Sequence, residues 1–391
     1  MRERKETASK AENLSFVSRS FRYFPFFLFF PFFLSVPASA ANFSSAANGI
    51  TTADFLNLGV GARAMGMGGA YTAVANDATA MYWNPAALTQ TPNNSATVMY
   101  APYLVNTSFD YGAYSHNMGN NGALGVSAQY FSAGSIAETQ NYQNIGSFNP
   151  YDLALSAGYA YPLGDNAGIL SGYSLGLSAS FIESEIVSQA NSEAVNLGLL
   201  SPLYLDGKFR WALTANNWGP PMTFDQVSSP LPFAMHVGSS YQITPRWLGA
   251  LDIGFPEGGS PYFNVGTEYD VWRDSQWDFS GRAGYSSYTL NSIGGFTGFS
   301  FGFGVARPDL SFDYALIPYG ALGQANRISL TFKWGGVPSS MFYSPEGNSP
   351  QPASAHSSDS NSIKQNSRRS SSNSGENNNS SPNDDSLIII H

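Results

Sequence analysis

No cysteine occurs in the 391 residues. That excludes a disulfide scaffold, thiolate zinc sites and a cysteine nucleophile, and cysteine scarcity is common in proteins that cross an oxidising periplasm. Histidine is nearly as rare: His116, His236, His356 and His391 include no pair at helical i, i+4 spacing, so neither a metal nor a cofactor is expected. Charged residues make up only 12% of the chain, which is little for a water-facing surface of this size. Basic runs are missing beyond the extreme N-terminus, and the net charge is -9 with a pI near 4.9. Phosphate binding needs a basic face, so nucleic acid is dropped as a partner. After the N-terminal region no stretch approaches the ~20 apolar residues of a transmembrane helix. A chain with this composition that enters a membrane must therefore cross it as strands.

The chain is 43% hydrophobic and 15% aromatic, enough apolar material for a large folded body. Its mean hydropathy of -0.16 is no argument against a membrane barrel, because strands that alternate polar and apolar residues average out.

Residues 1–40 place Arg2, Arg4, Lys5, Lys10, Arg19 and Arg22 ahead of an apolar run from Phe24 to Val36, then Ala38, Ser39 and Ala40. This is the order of an export signal. The run is interrupted by Pro25 and Pro31 and is too short to anchor in a bilayer, so cleavage after Ala40 is expected.

Between about residues 96 and 335, period-2 alternation recurs between clusters of Gly, Asn, Asp and Pro. The best stretches set Leu124, Val126 and Tyr130 against Gly125, Ser127 and Gln129; Leu175, Leu177 and Phe181 against Ser174, Ser178 and Ser180; and Ile328, Leu330, Phe332 and Trp334 against Arg327, Ser329, Thr331 and Lys333. Six strong and eight weaker segments bring the expectation to about fourteen strands, an even number that suits a closed antiparallel barrel. In a soluble sandwich the outward face would carry Lys, Glu and Asp; here the polar face is mostly Gly, Ser, Ala and Asn. Aromatic residues near the strand ends, among them Tyr100, Tyr130, Tyr159, Tyr161, Trp218, Trp247 and Trp334, read as girdles at the lipid headgroups. Asp252, Glu268, Asp270, Arg282 and Asp313 fall on the polar face, with Asp278 beside them, and are expected to form a solvated network in the lumen.

The stretch before the barrel lacks the alternation. Gly59-Val60-Gly61-Ala62-Arg63-Ala64 matches a dinucleotide-binding pattern, but no βαβ unit surrounds it, so that reading is set aside. The block continues through Gly66, Gly68, Gly69 and Asp77 to Tyr82-Trp83-Asn84-Pro85-Ala86. In its length and order it resembles the start of the FadL-like outer-membrane proteins, closest to the PorV/PorQ branch. Asn217-Trp218-Gly219-Pro220-Pro221, Leu231-Pro232, Leu322-Gly323 and Arg327-Ile328-Ser329-Leu330 extend the resemblance over most of the chain. It implies a fourteen-stranded barrel with an N-terminal plug, or hatch, over residues 41–95. Gly59, Gly61, Arg63, Gly66, Gly68, Gly69, Asp77, Asn84 and Pro85 would build that plug. Its glycines permit close approach and left-handed turns, Asn84 before Pro85 favours a fixed turn, and Arg63 would pair with Asp77 or with a lumen charge. The sequence departs from its relatives after Trp334, where residues 336–391, rich in Ser and Asn, read as a disordered tail.

Two functions follow from the resemblance. The first is a plugged passage for small hydrophobic molecules, released through a gap in the wall. The second is an accessory role in protein secretion of the type IX kind, holding or shuttling exported cargo at the outer membrane. The expected partners are outer-membrane lipid, with hydrophobic small molecules or secreted proteins. An outer-membrane phospholipase would need a Ser–His arrangement such as His236 with Ser239 or Ser240; the sequence positions no carboxylate beside them, and no catalytic residue is assigned.

Overall fold

The computed structural model describes residues 49–103, 106–289 and 297–336. The export signal with its cleavage after Ala40, and the tail from residue 337 onward, lie outside them.

Fourteen antiparallel strands close into one barrel. In chain order they are β1 (Asn94–Pro102), β2 (Ser108–Asn117), β3 (Ala123–Ser132), β6 (Tyr151–Pro162), β7 (Ser174–Glu185), β8 (Gln189–Leu200), β9 (Phe209–Trp218), β12 (Ala234–Thr244), β13 (Trp247–Pro256), β14 (Tyr262–Arg273), β15 (Asp278–Ser286), β16 (Phe299–Ala306), β17 (Leu310–Pro318) and β18 (Gln324–Trp334). Each pairs with its neighbour in sequence order, and β18 returns to pair with β1, Asn94 opposite Trp334. Closure follows from the solvent. An unpaired backbone amide in hydrocarbon costs several kcal/mol, so an open sheet edge is not tolerated there.

The alternation sets the two faces. Leu124, Val126, Leu175, Leu177, Phe301, Phe303, Ile328 and Phe332 are exposed, while Ser127, Gln129, Ser174, Ser178, Ser300, Arg327 and Ser329 are buried. Such a barrel is apolar outside and polar inside, the reverse of a water-soluble sandwich. The outward aromatics cluster near the strand ends as expected, with Tyr159, Tyr161, Trp247 and Trp334 toward one end and Tyr100, Tyr130 and Trp218 toward the other.

Two connections carry small hairpins: β4 (Ile136–Gln140) with β5 (Gln143–Phe148), and β10 (Met222–Phe224) with β11 (Val227–Ser229). Both stand at the same end of the barrel, where β15 ends and β16 begins. The opposite end, where β1 begins and β18 ends, has mostly shorter turns such as 245–246 and 307–309. Long connections face the cell exterior in outer-membrane barrels and short turns face the periplasm. On that rule the hairpin end is the outer end.

The ladder shifts register between Val195 and Leu197, Gln242 and Thr244, and Asp270 and Trp272. At the first of these, β9 ends opposite Val195, so Gln189–Ala194 of β8 have no partner on β9. Asn217 adopts φ 60 there and its N–H donates to Asn196 Oδ1 at 2.7 Å. Beyond it the chain folds over β8, and Ser192 Oγ donates to the Pro220 carbonyl at 2.8 Å.

Candidate functional site

Most of residues 53–92 are buried, and the helical turns among them pack against the strands. Near the outer end Thr52 N–H donates to the Pro230 carbonyl at 3.0 Å, and at the other end Asn117 N–H donates to the Asn93 carbonyl at 2.9 Å. Between them run a 3₁₀ turn at Asp54–Asn57, two short helical turns, α1 (Ala62–Gly66) and α2 (Ala80–Trp83), and a second 3₁₀ turn at Pro85–Gln90. The α1 turn packs on β15 to β18, whereas Pro85–Gln90 packs on β2, β3 and β6 to β8, on other strands of the ring.

A segment so short of regular structure leaves many backbone groups unpaired, and buried ones need partners. The small polar residues on the inner faces of the strands provide them. Ser329 Oγ accepts from Ala62 N–H at 2.7 Å, and Ser95 Oγ from Ala78 N–H at 3.2 Å. Asp252 Oδ2 accepts from the N–H groups of Tyr71 and Thr72 at 3.0 and 2.8 Å. Ser240 Oγ donates to the Ala73 carbonyl at 3.1 Å, and Asn117 Nδ2 donates to the Thr89 and Thr91 carbonyls at 3.1 and 2.8 Å.

Local sequence shapes the segment itself. Gly68 and Gly69 take φ 67 and 78 and reverse the chain after α1, and Gly69 N–H returns to the Ala64 carbonyl at 3.0 Å. A Cβ on Gly68 would stand 2.7 Å from the Tyr285 amide nitrogen of the wall, so the position needs glycine for space as well as for φ. Asp77 Oδ1 accepts from Thr79 N–H at 2.8 Å, just ahead of α2. Asn84, extended at φ -165 before Pro85, accepts from Ala86 N–H at 3.0 Å and donates to the Thr72 carbonyl at 3.1 Å. It caps one turn and pins another, with proline at the first helical position where its missing N–H costs nothing.

The charges meet in a chain. Arg63 Nε and Nη2 donate to Glu268 Oε2 and Oε1 at 2.8 and 2.7 Å; Glu268 also accepts from Arg282 Nε at 2.5 Å, and Arg282 Nη1 lies 2.7 Å from Asp313 Oδ1. Arg63 pairs with Glu268 rather than with Asp77, and its Nη1 donates to Asn76 Oδ1 at 2.8 Å. Arg63 lies outside the spanning strands. Burial by itself would lower its pKa, but the charge and hydrogen bonds of Glu268 outweigh that and hold it above its ordinary value. Burial likewise pushes the neighbouring Tyr71 hydroxyl up.

The expectation of a solvated network is corrected. Asp252, Glu268, Arg282 and Asp313 are all buried, because the segment occupies the space that lumen water would fill. A cavity among Arg63, Asp77, Thr97, Asp313 and Ser329 measures about 10 Å³, room for about one water. Asp270 belongs to a separate pair with Arg273 at the periplasmic end of β14, at 2.6 Å, and Arg273 also contacts Asp278.

Sequence reasoning missed Arg327. It is fully buried, donates to the Gly59 carbonyl and lies 5.9 Å from the Phe109 ring. Its place on the polar face of the last strand was the available signal. His236 and Ser239 lie at odd spacing on β12 and so project to opposite faces, and the Ser240 hydroxyl is committed to Ala73. No Ser–His pair is brought together there.

The family model described as "Type IX secretion system protein PorV" matches residues 42–244, just over half of the chain. The chain belongs to the PorV family. The expected relationship to that branch is borne out, and the protein is an outer-membrane β-barrel. No curated protein matches its sequence. Among solved structures it is similar to the toluene transporter TbuX of Ralstonia pickettii, with 14% identity, a TM-score of 0.48, and coverage of 71% of this chain and 99% of that one. A FadL homologue of Pseudomonas aeruginosa is similar at 13% identity and a TM-score of 0.47, covering 71% and 98%. The monoaromatic hydrocarbon channel CymD is similar at 14% identity and a TM-score of 0.49, covering 71% and 98%.

Proposed function

We propose that this PorV-family barrel is an accessory of a type IX-like protein secretion system that holds or shuttles exported cargo at the outer membrane. In this reading Gly59, Gly61, Arg63, Gly66, Gly68, Gly69, Asp77, Asn84 and Pro85 belong to a plug that stays seated, and a leader removed after Ala40 directs export. One observation carries it. The segment is bonded to the wall all round, through Ser329, Asp252, Ser240, Asn117 and the Arg63–Glu268 pair. A lumen filled and bonded in this way leaves the outer rim as the working surface.

The test is deletion of the gene, followed by a comparison of periplasmic and secreted fractions. The accessory reading expects some exported proteins to accumulate in the periplasm; unchanged export overturns it.

Passage of small hydrophobic molecules is the second reading. The observation in its favour is the apolar outer mouth, where Phe55, Leu56, Met99, Phe109, Met222 and Leu231 pack together. Uptake of a fluorescent fatty acid that falls on deletion supports this reading, and unchanged uptake removes it.

A further inference from the structure

The outer rim has a one-sided charge. Around the β3–β6, β7–β8 and β9–β12 connections stand Glu138, Asp152, Glu183, Glu185, Glu193 and Asp225. Among the described residues no lysine or arginine is exposed at that end. Lys208, Arg246, Arg273 and Arg307 sit at the periplasmic end, and Arg63, Arg210, Arg282, Arg327 and Lys333 are drawn into the barrel. A basic partner meets no like-charge repulsion on this rim, whereas an acidic one is repelled all along it.

The same sector shows apolar side chains that are exposed among the described residues. The β4–β5 hairpin is a two-stranded sheet exposed on both faces, carrying Ile136 and Ile145. A lone hairpin of this kind is only marginally stable in water. Its tip is Asn141-Tyr142, both at positive φ, 50 and 64. Glycine or asparagine is the ordinary choice at the second position of such a turn, and a bulky residue there is strained. Tyr142 is nonetheless held there with its ring wholly in solvent. Val187 in the β7–β8 turn and Val227 in the β10–β11 hairpin are exposed on the neighbouring connections.

We propose that the β4–β5 hairpin, with the adjoining acidic rim, is the docking surface for an exported protein that presents a basic face, and that Tyr142 is its anchor. The apolar tips supply the contact area, an exposed tyrosine is a common interface anchor, and the carboxylates select the sign of the partner. The proposal rests on the accessory reading above and names the surface and the chemistry through which cargo is held.

The experiment places a photo-cross-linking phenylalanine analogue at position 142 of the full-length chain in living cells and identifies adducts by mass spectrometry. The expected result is a discrete adduct with an exported protein whose cross-linked region is rich in Lys and Arg. Its yield should fall about tenfold in a Glu138→Lys/Glu183→Lys/Glu185→Lys variant, or when salt is raised from about 50 to about 500 mM. An Asp206→Lys/Asp274→Lys variant, altered at the periplasmic end, should keep it. Heat-modifiable gel mobility verifies that every variant retains its barrel. Adducts only with lipopolysaccharide or with a second copy of this chain, or a yield that ignores both charge reversal and salt, overturn the proposal. Trapped cargo on gene deletion without any adduct sinks the docking surface alone. An adduct with unchanged export sinks the accessory reading and leaves the surface standing.

Discussion

Arg63 of the enclosed segment and Glu268 of β14 meet at two points, with 2.8 and 2.7 Å between their nitrogen and oxygen atoms. Their union joins the segment to the Arg282–Asp313 pair of the wall. Arg63→Ala leaves Glu268 buried with Arg282 as its remaining cation. Breaking a buried pair in this way costs roughly 3–5 kcal/mol. Arg63→Lys keeps the charge but loses the planar fork, so its loss is smaller. Urea unfolding followed by gel mobility measures both. An Arg63→Ala variant as stable as the parent contradicts the assignment.

Gly284 on β15 faces the segment where a Cβ would run into the backbone of Met67 and Gly68. Backbone cannot swing aside as a long side chain can. Gly284→Val should therefore unseat the loop after α1, and limited proteolysis of the folded barrel should cut within residues 59–70, which stay protected in the parent. Equal protection in the two proteins counts against this packing.

Asp252 accepts two backbone N–H groups from Tyr71 and Thr72. Asp252→Ala leaves buried donors without a partner, at about 1–3 kcal/mol. Asp252→Asn keeps a carbonyl oxygen in place and should recover most of that loss in the same unfolding assay. If the asparagine variant is no better than alanine, the role assigned to this acceptor is wrong.

The barrel was legible because lipid outside and polar groups inside force an alternation that survives in Leu124 to Tyr130 and Ile328 to Trp334. The block of glycines with its Asn-Pro-Ala triplet was legible as a segment distinct from the strands that follow it. The partners of its residues were not. Arg63 finds Glu268 across 205 positions of sequence, a distance over which spacing holds no information. The burial of the lumen charges was missed for a related reason, since it depends on how completely the segment fills the ring. Arg327, reaching the Gly59 carbonyl, was hidden among ordinary inward-facing polar residues.

Met222 is fully buried at the outer mouth, in one cluster with Phe55, Leu56 and Leu231. Met222→Asp places a charge where no cation is exposed nearby among the described residues, and the β10–β11 hairpin should lift away to solvate it. Protease added to intact cells should then cut within residues 219–233 faster than in the parent. An unchanged cutting rate shows that the hairpin does not depend on this contact.

The central claim is a fourteen-stranded outer-membrane barrel whose lumen is filled by its own N-terminal segment. Conductance in planar lipid bilayers, measured on full-length protein whose heat-modifiable mobility proves it folded, tests it most directly. The account predicts an inserted barrel that is nearly silent, with Arg63→Ala and Gly284→Val raising the current. A steady open-pore current from the unaltered chain contradicts it.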